Sequence, residues 1–208
     1  MPLIVLEGPD GCGKSTQAGL LAERLLVAGH PTLRLREPGG TALGEAVRAI
    51  LLDPATQACA EAELFGYQMA RAQLCREVIR PALAAGTFVV LDRFWHSTIA
   101  YQAYGLGLDP VLVRAAIDLA VGEVRPDAAF LLRLPEAESH ARRAARASAD
   151  RIEARDDAYR ARVRAGYEAL AAAGDLVPLD AGGTTAEVAE RVWSAVETRT
   201  VGARPRSF

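Results

Sequence analysis

The glycine-rich stretch GPDGCGKS, residues 8–15, is the feature that most constrains the fold. It satisfies the pattern G-x-x-x-x-G-K-S, follows the apolar run LIVLE and precedes a helical pattern over residues 15–28. Glycines let successive backbone N–H groups turn inward, and a helix that begins there adds its positive end. The lysine and the serine that end the pattern can hold terminal phosphates and Mg²⁺. The stretch therefore predicts a nucleoside triphosphate site, assigned to ATP, in preference to a glycine turn that only caps a helix.

The use of lysine supports this interpretation. Of the 24 basic residues, 23 are arginines, and the one lysine is Lys14, inside the glycine-rich stretch. A compact ammonium group and a planar guanidinium are not interchangeable beside a phosphate. A lysine kept at this position in an arginine-rich chain favours a phosphate-binding loop.

Short apolar runs alternate with longer helical patterns, which predicts a mostly parallel sheet covered by helices on both faces. Five strands are predicted, at residues 3–7, 32–36, 88–92, 129–134 and 176–180. Helices are predicted at residues 15–28, 41–52, 61–85, 110–121, 136–147, 156–173 and 184–199. The expected architecture is an α/β, three-layer P-loop NTPase fold in one domain, residues 1–208, with a five-stranded parallel sheet and a short arginine-rich lid at residues 142–155.

Composition narrows the class of protein further. A net charge of −2 gives no global reason to expect nucleic acid or membrane binding. Apolar runs fall short of the ~20 residues that span a bilayer, and three cysteines without metal spacing suit a reducing cytoplasm. A chain of 208 residues is small for an oligomeric motor, and the guanine-reading pattern N-K-x-D of switch GTPases is absent from the sequence. These observations favour a small-molecule kinase.

Four further segments carry a family resemblance: REPGGT at residues 36–41, AELFGYQMARAQL at 62–74, LDRFWHSTIAYQ at 91–102 and DRIE at 150–153. Together with EGPDGCGKST, and in this order, they resemble thymidylate kinases over residues 3–185. The resemblance implies Mg²⁺- and ATP-dependent phosphorylation of dTMP to dTDP, in dTTP synthesis, by a homodimer. The alternatives are another monophosphate kinase on the same scaffold, or a P-loop regulator that binds nucleotide without catalysis.

Residue chemistry and the resemblance together give the candidate acceptor site. Asp92 and Arg93 follow a buried strand at the sheet edge of the P-loop, where Asp92 can hold Mg²⁺ through water. Tyr67 and Arg71 lie four residues apart on one helix face, suited to stacking on a base and donating to its carbonyl, although a core role for the tyrosine is the alternative. The resemblance aligns Tyr67 with a stacking position that is usually phenylalanine in the family, which leaves open whether Tyr67 or Phe65 stacks. It implies an acceptor set of Asp10, Glu37, Pro38, Arg48, Tyr67, Arg71, Arg93, Ser97, Thr98, Tyr101 and Gln102.

Within that set the resemblance assigns individual roles. Asp10 contacts the sugar 3′-hydroxyl, Arg48 and Arg93 hold the acceptor phosphate, and Thr98 or Ser97 reads the N3 edge of thymine. Tyr101 closes against C2′ of the sugar, with Gln102 in support. Glu37 is either a ligand or a brace.

Phosphoryl transfer needs positive charge near the transferred group. The P-loop carries no arginine, so this charge is expected from the lid, with Arg151 as first choice and Arg143 and Arg146 next. A solvated helical face is the alternative interpretation of the charge run. Lys14, Asp10 and Arg93 complete the catalytic set, and Ser15, Asp92 and Glu153 are the metal candidates. The ATP site is expected at Gly8, Pro9, Asp10, Gly11, Cys12, Gly13, Lys14, Ser15, Thr16 and Arg142. Within it, Arg142 is a candidate for stacking on adenine. Cys12 is either a reactive thiol or a small residue that fills buried space.

Overall fold

A computed structural model describes residues 2–144 and 151–201. Its five strands form one parallel sheet in the order β2-β3-β1-β4-β5. They are β1 Leu3–Glu7, β2 Thr32–Arg36, β3 Phe88–Asp92, β4 Ala128–Arg133 and β5 Val177–Asp180. The predicted α/β fold and its five parallel strands are therefore confirmed, with strand ends that differ by one residue at most.

Helices connect these strands in the described part of the chain. They are α1 Lys14–Val27, α2 Ala42–Leu52, α3 Ala60–Leu74, α4 Arg80–Ala84, α5 Trp95–Thr98, α6 Pro110–Val121, α7 Glu136–Ala144, α8 Asp157–Ala172 and α9 Thr185–Val196. Three π-helical segments extend them: Cys75–Ile79 joins α3 to α4, Ile99–Gly105 continues α5, and Glu197–Val201 continues α9. The single helix predicted over residues 61–85 is thus one continuous helical path with a π-helical turn in its middle.

Alternation along the strands divides the core into two layers. Val5, Val89 and Leu131 point to the face covered by α3, α6 and α8, where Val113 and Tyr167 complete the packing. The residues between them in sequence point to the opposite face, which α1 and α9 cover. All five residues of β1 and all five of β3 are buried, so solvent is excluded from both faces of the sheet at these two strands.

The helical path over residues 95–105 was not predicted. Nearly every residue from Trp95 to Ala103 is buried, polar ones included, since the path lies between the sheet edge, α3 and α8. A helix that is buried on all sides shows no apolar stripe of period 3.6, and its sequence therefore carries no helical signal. This helix supplies Ser97, Thr98, Tyr101 and Gln102 to the lining of the main cavity.

Parallel pairing brings the carboxyl ends of all five strands to one edge of the sheet. The segments that leave this edge are the P-loop after β1, REPGGT after β2, Arg93 after β3, the base of the lid after β4 and a glycine-threonine loop after β5. Ligands of open α/β sheets bind at this edge. Among residues 2–144 and 151–201 there is no helix with the length and apolar character that a bilayer crossing demands.

Close packing of α8 on the unpredicted helix gives a test of the fold. A Cβ at Gly166 would lie 2.9 Å from Ala100 Cα and 3.0 Å from Tyr104 Cβ. We expect Gly166→Ala to lower the free energy of unfolding, because overpacking costs about 1–3 kcal/mol and outweighs the gain of about 1 kcal/mol in helix propensity. Urea denaturation of the purified variant measures this.

Gly19→Ala is the matched control. Its new Cβ would meet the Arg34 guanidinium at 2.7 Å, the far end of a flexible side chain that can move away. The control should be neutral or stabilising, and equal losses in the two variants would contradict the packing described for Gly166.

Candidate active site

The P-loop has the backbone that its sequence predicts. Gly8, Gly11 and Gly13 all have positive φ angles, and α1 begins at Lys14 directly after the last of them. A Cβ at Gly8 would lie 2.8 Å from the carbonyl oxygen of Leu132, so strand β4 leaves room only for glycine there. Lys14 is 6% exposed, and its Nζ donates to the carbonyl of Pro9 at 3.0 Å. The loop therefore points its backbone and its lysine into one cradle.

A hydroxyl and a carboxylate meet beside this cradle. Ser15 Oγ donates to Asp92 Oδ2, and Asp92 Oδ1 is buried without a hydrogen-bond partner among the residues that the structure describes. Oxygen donors of this kind, few in number and next to a phosphate site, fit the way Mg²⁺ binds in nucleotide enzymes. The structure thus brings the predicted pair Ser15 and Asp92 into contact and leaves Oδ1 of Asp92 without a hydrogen bond among the described residues.

One cavity of about 240 Å³ joins the cradle to the segments after β2 and β3. Most of the predicted residues line it: Asp10, Gly11, Gly13, Lys14, Ser15, Thr16, Glu37, Pro38, Arg48, Tyr67, Asp92, Arg93, Ser97, Thr98, Tyr101, Gln102 and Glu153. Tyr67 is at this wall, whereas Phe65 is 65% exposed at the outside of α3. Tyr67 is therefore the aromatic residue of this pair that reaches the cavity, and its stacking on a base stays a prediction.

Arg93 links the two halves of the cavity. It has a left-handed backbone, φ 70°, and its Nη1 donates to Gly8 O at 3.1 Å. Its Nη2 donates to Asp10 and, at 3.2 Å, to Tyr101 Oη, which in turn donates to Asp10 Oδ2 at 2.9 Å. Burial acts to raise the pKa of Asp10, but the charges of Arg93 and Lys14 outweigh it and lower the pKa to about 2. Asp10 is therefore a carboxylate at neutral pH despite its place in a phosphate-binding loop.

Two residues that support Arg93 were missed from the sequence. Tyr167 Oη lies 2.9 Å from Arg93 Nη1 and 2.9 Å from Ser97 Oγ, and it donates to Glu7 Oε2 at 3.1 Å. Glu7, fully buried, also accepts from Phe94 N at 2.7 Å and from Ser97 Oγ at 2.6 Å. Glu7 is the last residue of a predicted buried strand, and this position could have identified it as a candidate. Tyr167 lies 74 residues from Arg93, and no local sequence pattern marks it.

Burial has opposite outcomes for the ionisable groups of this network. It acts to raise the pKa of Glu7, but the neighbouring His96, the charge of Arg93 and the Ser97 hydroxyl lower that pKa to about 2. Burial also raises the pKa of Tyr101 and of Tyr167 well above the ordinary value, so both phenols stay protonated and can donate. The network thus consists of two carboxylates, one guanidinium and two neutral phenols.

Arg71 does not occupy its predicted role in this structure. The sequence predicts a donor to a base carbonyl, but all five N–H groups of Arg71 donate to protein atoms: Glu37 Oε2 at 2.8 and 2.6 Å, Gln68 Oε1 at 2.9 Å, Thr98 Oγ1 at 2.8 Å and Phe94 O at 3.2 Å. Arg71 is 2% exposed and lies behind the cavity wall rather than in it. Burial raises the pKa of Glu37 more than the charge of Arg71 lowers it. Of the two roles left open for Glu37, a brace for Arg71 is the one seen here.

The lid arginines are placed differently from one another. Arg151, predicted to contact the transferred phosphoryl group, instead donates to the buried Glu63 at 2.7 Å and to Leu51 O at 2.8 Å. A charge-assisted hydrogen bond to a buried carboxylate thus holds Arg151 in that wall in this structure, and its contact with the transferred phosphoryl group stays a prediction. The side chain of Arg143 and the whole of Arg146 lie outside the described residues. Glu153 lines the main cavity.

A second cavity, of about 430 Å³, lies on the other side of the P-loop. Arg142 lines it from the lid helix α7, together with Gly13, Thr16 and the loop after β5 at Gly183, Thr184 and Thr185. Sequence reasoning missed this loop, although its place after the last strand of the sheet was a usable signal. Cys12 also lines this cavity but is only 1% exposed, which favours its role as a buried filler.

The low pKa of Glu7 predicts how stability depends on pH. A carboxyl whose pKa falls from 4.5 to about 2 on folding stabilises the fold above pH 4.5 and loses that effect as the pH falls toward 2, a change on the order of 3 kcal/mol. Glu7→Gln should be less stable than the parent chain at pH 7, and the difference should narrow between pH 5 and pH 2. Urea unfolding at several pH values measures this, with the exposed Glu123→Gln as the control. A difference that stays constant with pH would contradict the low pKa.

Comparisons with known proteins agree with this geometry. A family model described as thymidylate kinase matches residues 6–192. The thymidylate kinase of Synechococcus sp. (strain JA-3-3Ab) is 45% identical over 207 residues, 98% of each chain, and that of Deinococcus radiodurans is 42% identical over 94% of this chain and 96% of its own. The crystal structure of thymidylate kinase from Ehrlichia chaffeensis superposes with a TM-score of 0.74 at 32% identity, over 94% of this chain and 98% of that one. The resemblance is confirmed: this chain belongs to the thymidylate kinase family.

Proposed function

We propose that the main cavity carries out the activity of this family, the ATP-dependent phosphorylation of dTMP to dTDP, with donor and acceptor bound at its two ends. The observation that carries the proposal is the continuity of this one cavity, which runs from Lys14 and Ser15 to Tyr67 and Thr98. Two phosphorylated substrates must meet in line for a phosphoryl group to pass directly between them. A site that bound a nucleotide for regulation alone would need only the P-loop end.

The donor end is assigned to ATP. The backbone N–H groups of the P-loop cradle the β- and γ-phosphates, and the Lys14 ammonium neutralises the charge that they share. The cavity beside Arg142 and Thr184 is assigned to the adenine and its ribose, because it opens directly from Gly13 and Thr16 of the same loop. Ser15 and Asp92 would hold Mg²⁺, which neutralises phosphate charge when bound. Glu153 is retained as a further candidate, since it lines the same cavity.

The acceptor end is assigned to dTMP. Tyr67 lines the wall where a base can stack, and Thr98, which accepts hydrogen bonds from Arg71 and Gln68, keeps its own O–H as a donor toward the base. Tyr101 and Asp10, whose side chains share a hydrogen bond, are assigned to the deoxyribose: the ring would fill the space of a ribose 2′-hydroxyl and the carboxylate would accept from the 3′-hydroxyl. Arg93 and Arg48 are assigned to the acceptor phosphate.

Chemistry at this site needs positioning and charge neutralisation more than proton transfer. The nucleophile is a phosphate oxygen that is already ionised at neutral pH, so no side chain has to act as a general base. Lys14 and Arg93 supply fixed positive charge on either side of the transferred group. Arg143 and Arg146 are proposed as the further lid contacts.

Assembly and location are proposed from the surface of the molecule. Five large apolar side chains are exposed on α3 and α6, at 65, 49, 74, 67 and 88% of their area: Phe65, Met69, Val111, Leu112 and Leu119. An apolar surface on neighbouring helices suits an isologous dimer interface. We therefore propose a homodimer that acts in the cytoplasm, where the free cysteines Cys12, Cys59 and Cys75 stay reduced.

A coupled assay of ADP release tests the proposed substrates. With ATP and Mg²⁺ we expect dTMP to be turned over at least about 100-fold more efficiently than AMP, dGMP or dCMP, because a polar pocket rejects bases that leave its groups unpaired. UMP should be turned over less efficiently than dUMP, because the ring of Tyr101 fills the space of its 2′-hydroxyl. For dUMP the expected loss is smaller, about tenfold or less, because it lacks only a methyl group. Omission of Mg²⁺ should abolish turnover.

Two outcomes of that assay would contradict the proposal. Preference for another monophosphate would overturn the base-reading roles of Tyr67 and Thr98 and leave the donor end standing. ATP binding without turnover of any monophosphate would make the chain a regulator.

A further inference from the structure

A buried carboxylate outside the assigned site holds part of the cavity wall. Glu63, in the first turn of α3, is fully buried. Its Oε2 accepts from Arg151 Nη2 at 2.7 Å and from Arg155 Nη2 at 2.6 Å. Its Oε1 accepts from Gln102 Nε2 at 2.9 Å and, more weakly, from Arg155 Nη1 at 3.4 Å. One side chain therefore contacts three residues that are distant from it in sequence.

These partners lie on both sides of the main cavity. Ile152 and Glu153 line it, and they are two of the three residues between the arginines that Glu63 binds. Gln102 lines it from the helical path after β3. The segment from Arg151 to Arg155 forms a turn, and it is attached to α2 through Arg151 N, which donates to Leu52 O at 3.2 Å. Without the carboxylate, two guanidinium groups would face each other in a region where Arg151 is 11% and Arg155 20% exposed.

We propose that Glu63 is a positioning residue for the acceptor: it fixes the turn Arg151–Arg155 so that Ile152 and Glu153 close the cavity opposite Gln102. This inference rests on the proposed function, because the wall that Glu63 holds is part of the proposed dTMP site. A buried carboxylate with two arginines is costly to desolvate, and replacement by apolar residues often stabilises a protein. Here the arrangement sets the geometry of the wall, and bidentate arginine contacts hold such geometry better than packing alone.

The test is a kinetic comparison of Glu63→Gln with Glu61→Gln. Glu61 lies in the same first turn of α3 but is exposed, so the control makes the same chemical change on the same helix. We expect Glu63→Gln to raise the KM for dTMP by roughly tenfold or more, since small misplacements of a binding wall have large effects. The KM for ATP should stay within about twofold, because the P-loop and the pair Ser15 and Asp92 belong to other elements and only the further Mg²⁺ candidate Glu153 lies in the turn. Glu61→Gln should match the parent chain in both.

Arg155→Lys keeps the proposal testable if Glu63→Gln does not fold. Lysine retains the charge next to Glu63 but loses the fork, so a smaller rise in the KM for dTMP is expected with little change in the KM for ATP. Calorimetric titration of dTMP without ATP should give the same ranking, with the parent chain binding most tightly and Glu63→Gln most weakly. A smaller fraction of active protein would lower the apparent number of sites but would not change the dissociation constant. An unchanged dTMP affinity in both variants, or equal effects on dTMP and ATP, would overturn the inference.

The two proposals fail in distinguishable ways. If the parent chain turns over dTMP and the variants bind it normally, only the role of Glu63 fails. If the parent chain prefers another monophosphate, the proposed substrate fails, and the same comparison with that acceptor still decides the role of Glu63.

Discussion

The rest of the site depends on the hydrogen bonds that the guanidinium of Arg93 donates. This guanidinium contacts the P-loop through Gly8 and Asp10, the helix after β3 through Ser97 and Tyr101, and α8 through Tyr167. A positive φ at a residue other than glycine is unusual, and here it directs the side chain from the end of β3 back across the loop. Because β1 and β3 are neighbours in the sheet, one residue can join the P-loop to the helix after β3. These two walls of the main cavity are therefore tied together at the edge of the sheet.

The same principle recurs in three buried glutamates. Glu7 supports the Arg93 network, Glu37 binds Arg71, and Glu63 binds Arg151 and Arg155. Glu37 lines the main cavity, whereas Glu7 and Glu63 lie behind its wall, and each carboxylate fixes groups that shape it. Arginine suits this arrangement because its planar fork makes several directed hydrogen bonds, whereas lysine presents a point charge. The one lysine of the chain is at the position where a compact charge must approach a phosphate.

The sequence predicted the five strands, the P-loop and most of the cavity lining, since strand–loop–helix order and strand ends are local signals. It did not reveal the helix over residues 95–105, because that segment is buried all round and lacks a periodic pattern. It also did not reveal the partners of Arg71 and Arg151. Each guanidinium is held by a buried glutamate that lies 34 or 88 residues away in the chain. Such pairings, like that of Tyr167 with Arg93, depend on tertiary structure and have no short-range signature.

The most direct measurement is the affinity of dTMP and of thymidine for the parent chain and for Arg93→Gln, by calorimetric titration. If Arg93 holds the acceptor phosphate, the parent chain binds dTMP much more tightly than thymidine. In Arg93→Gln the ratio of the two affinities should fall by roughly ten- to a hundredfold, since a hydrogen bond to a charged group contributes about 1.5–3 kcal/mol. Thymidine, which lacks the phosphate, should bind the two proteins about equally and so reports on the integrity of the pocket. An unchanged ratio of dTMP to thymidine affinity would contradict the account, because the residue that joins the two sides would then have no part in binding the acceptor phosphate.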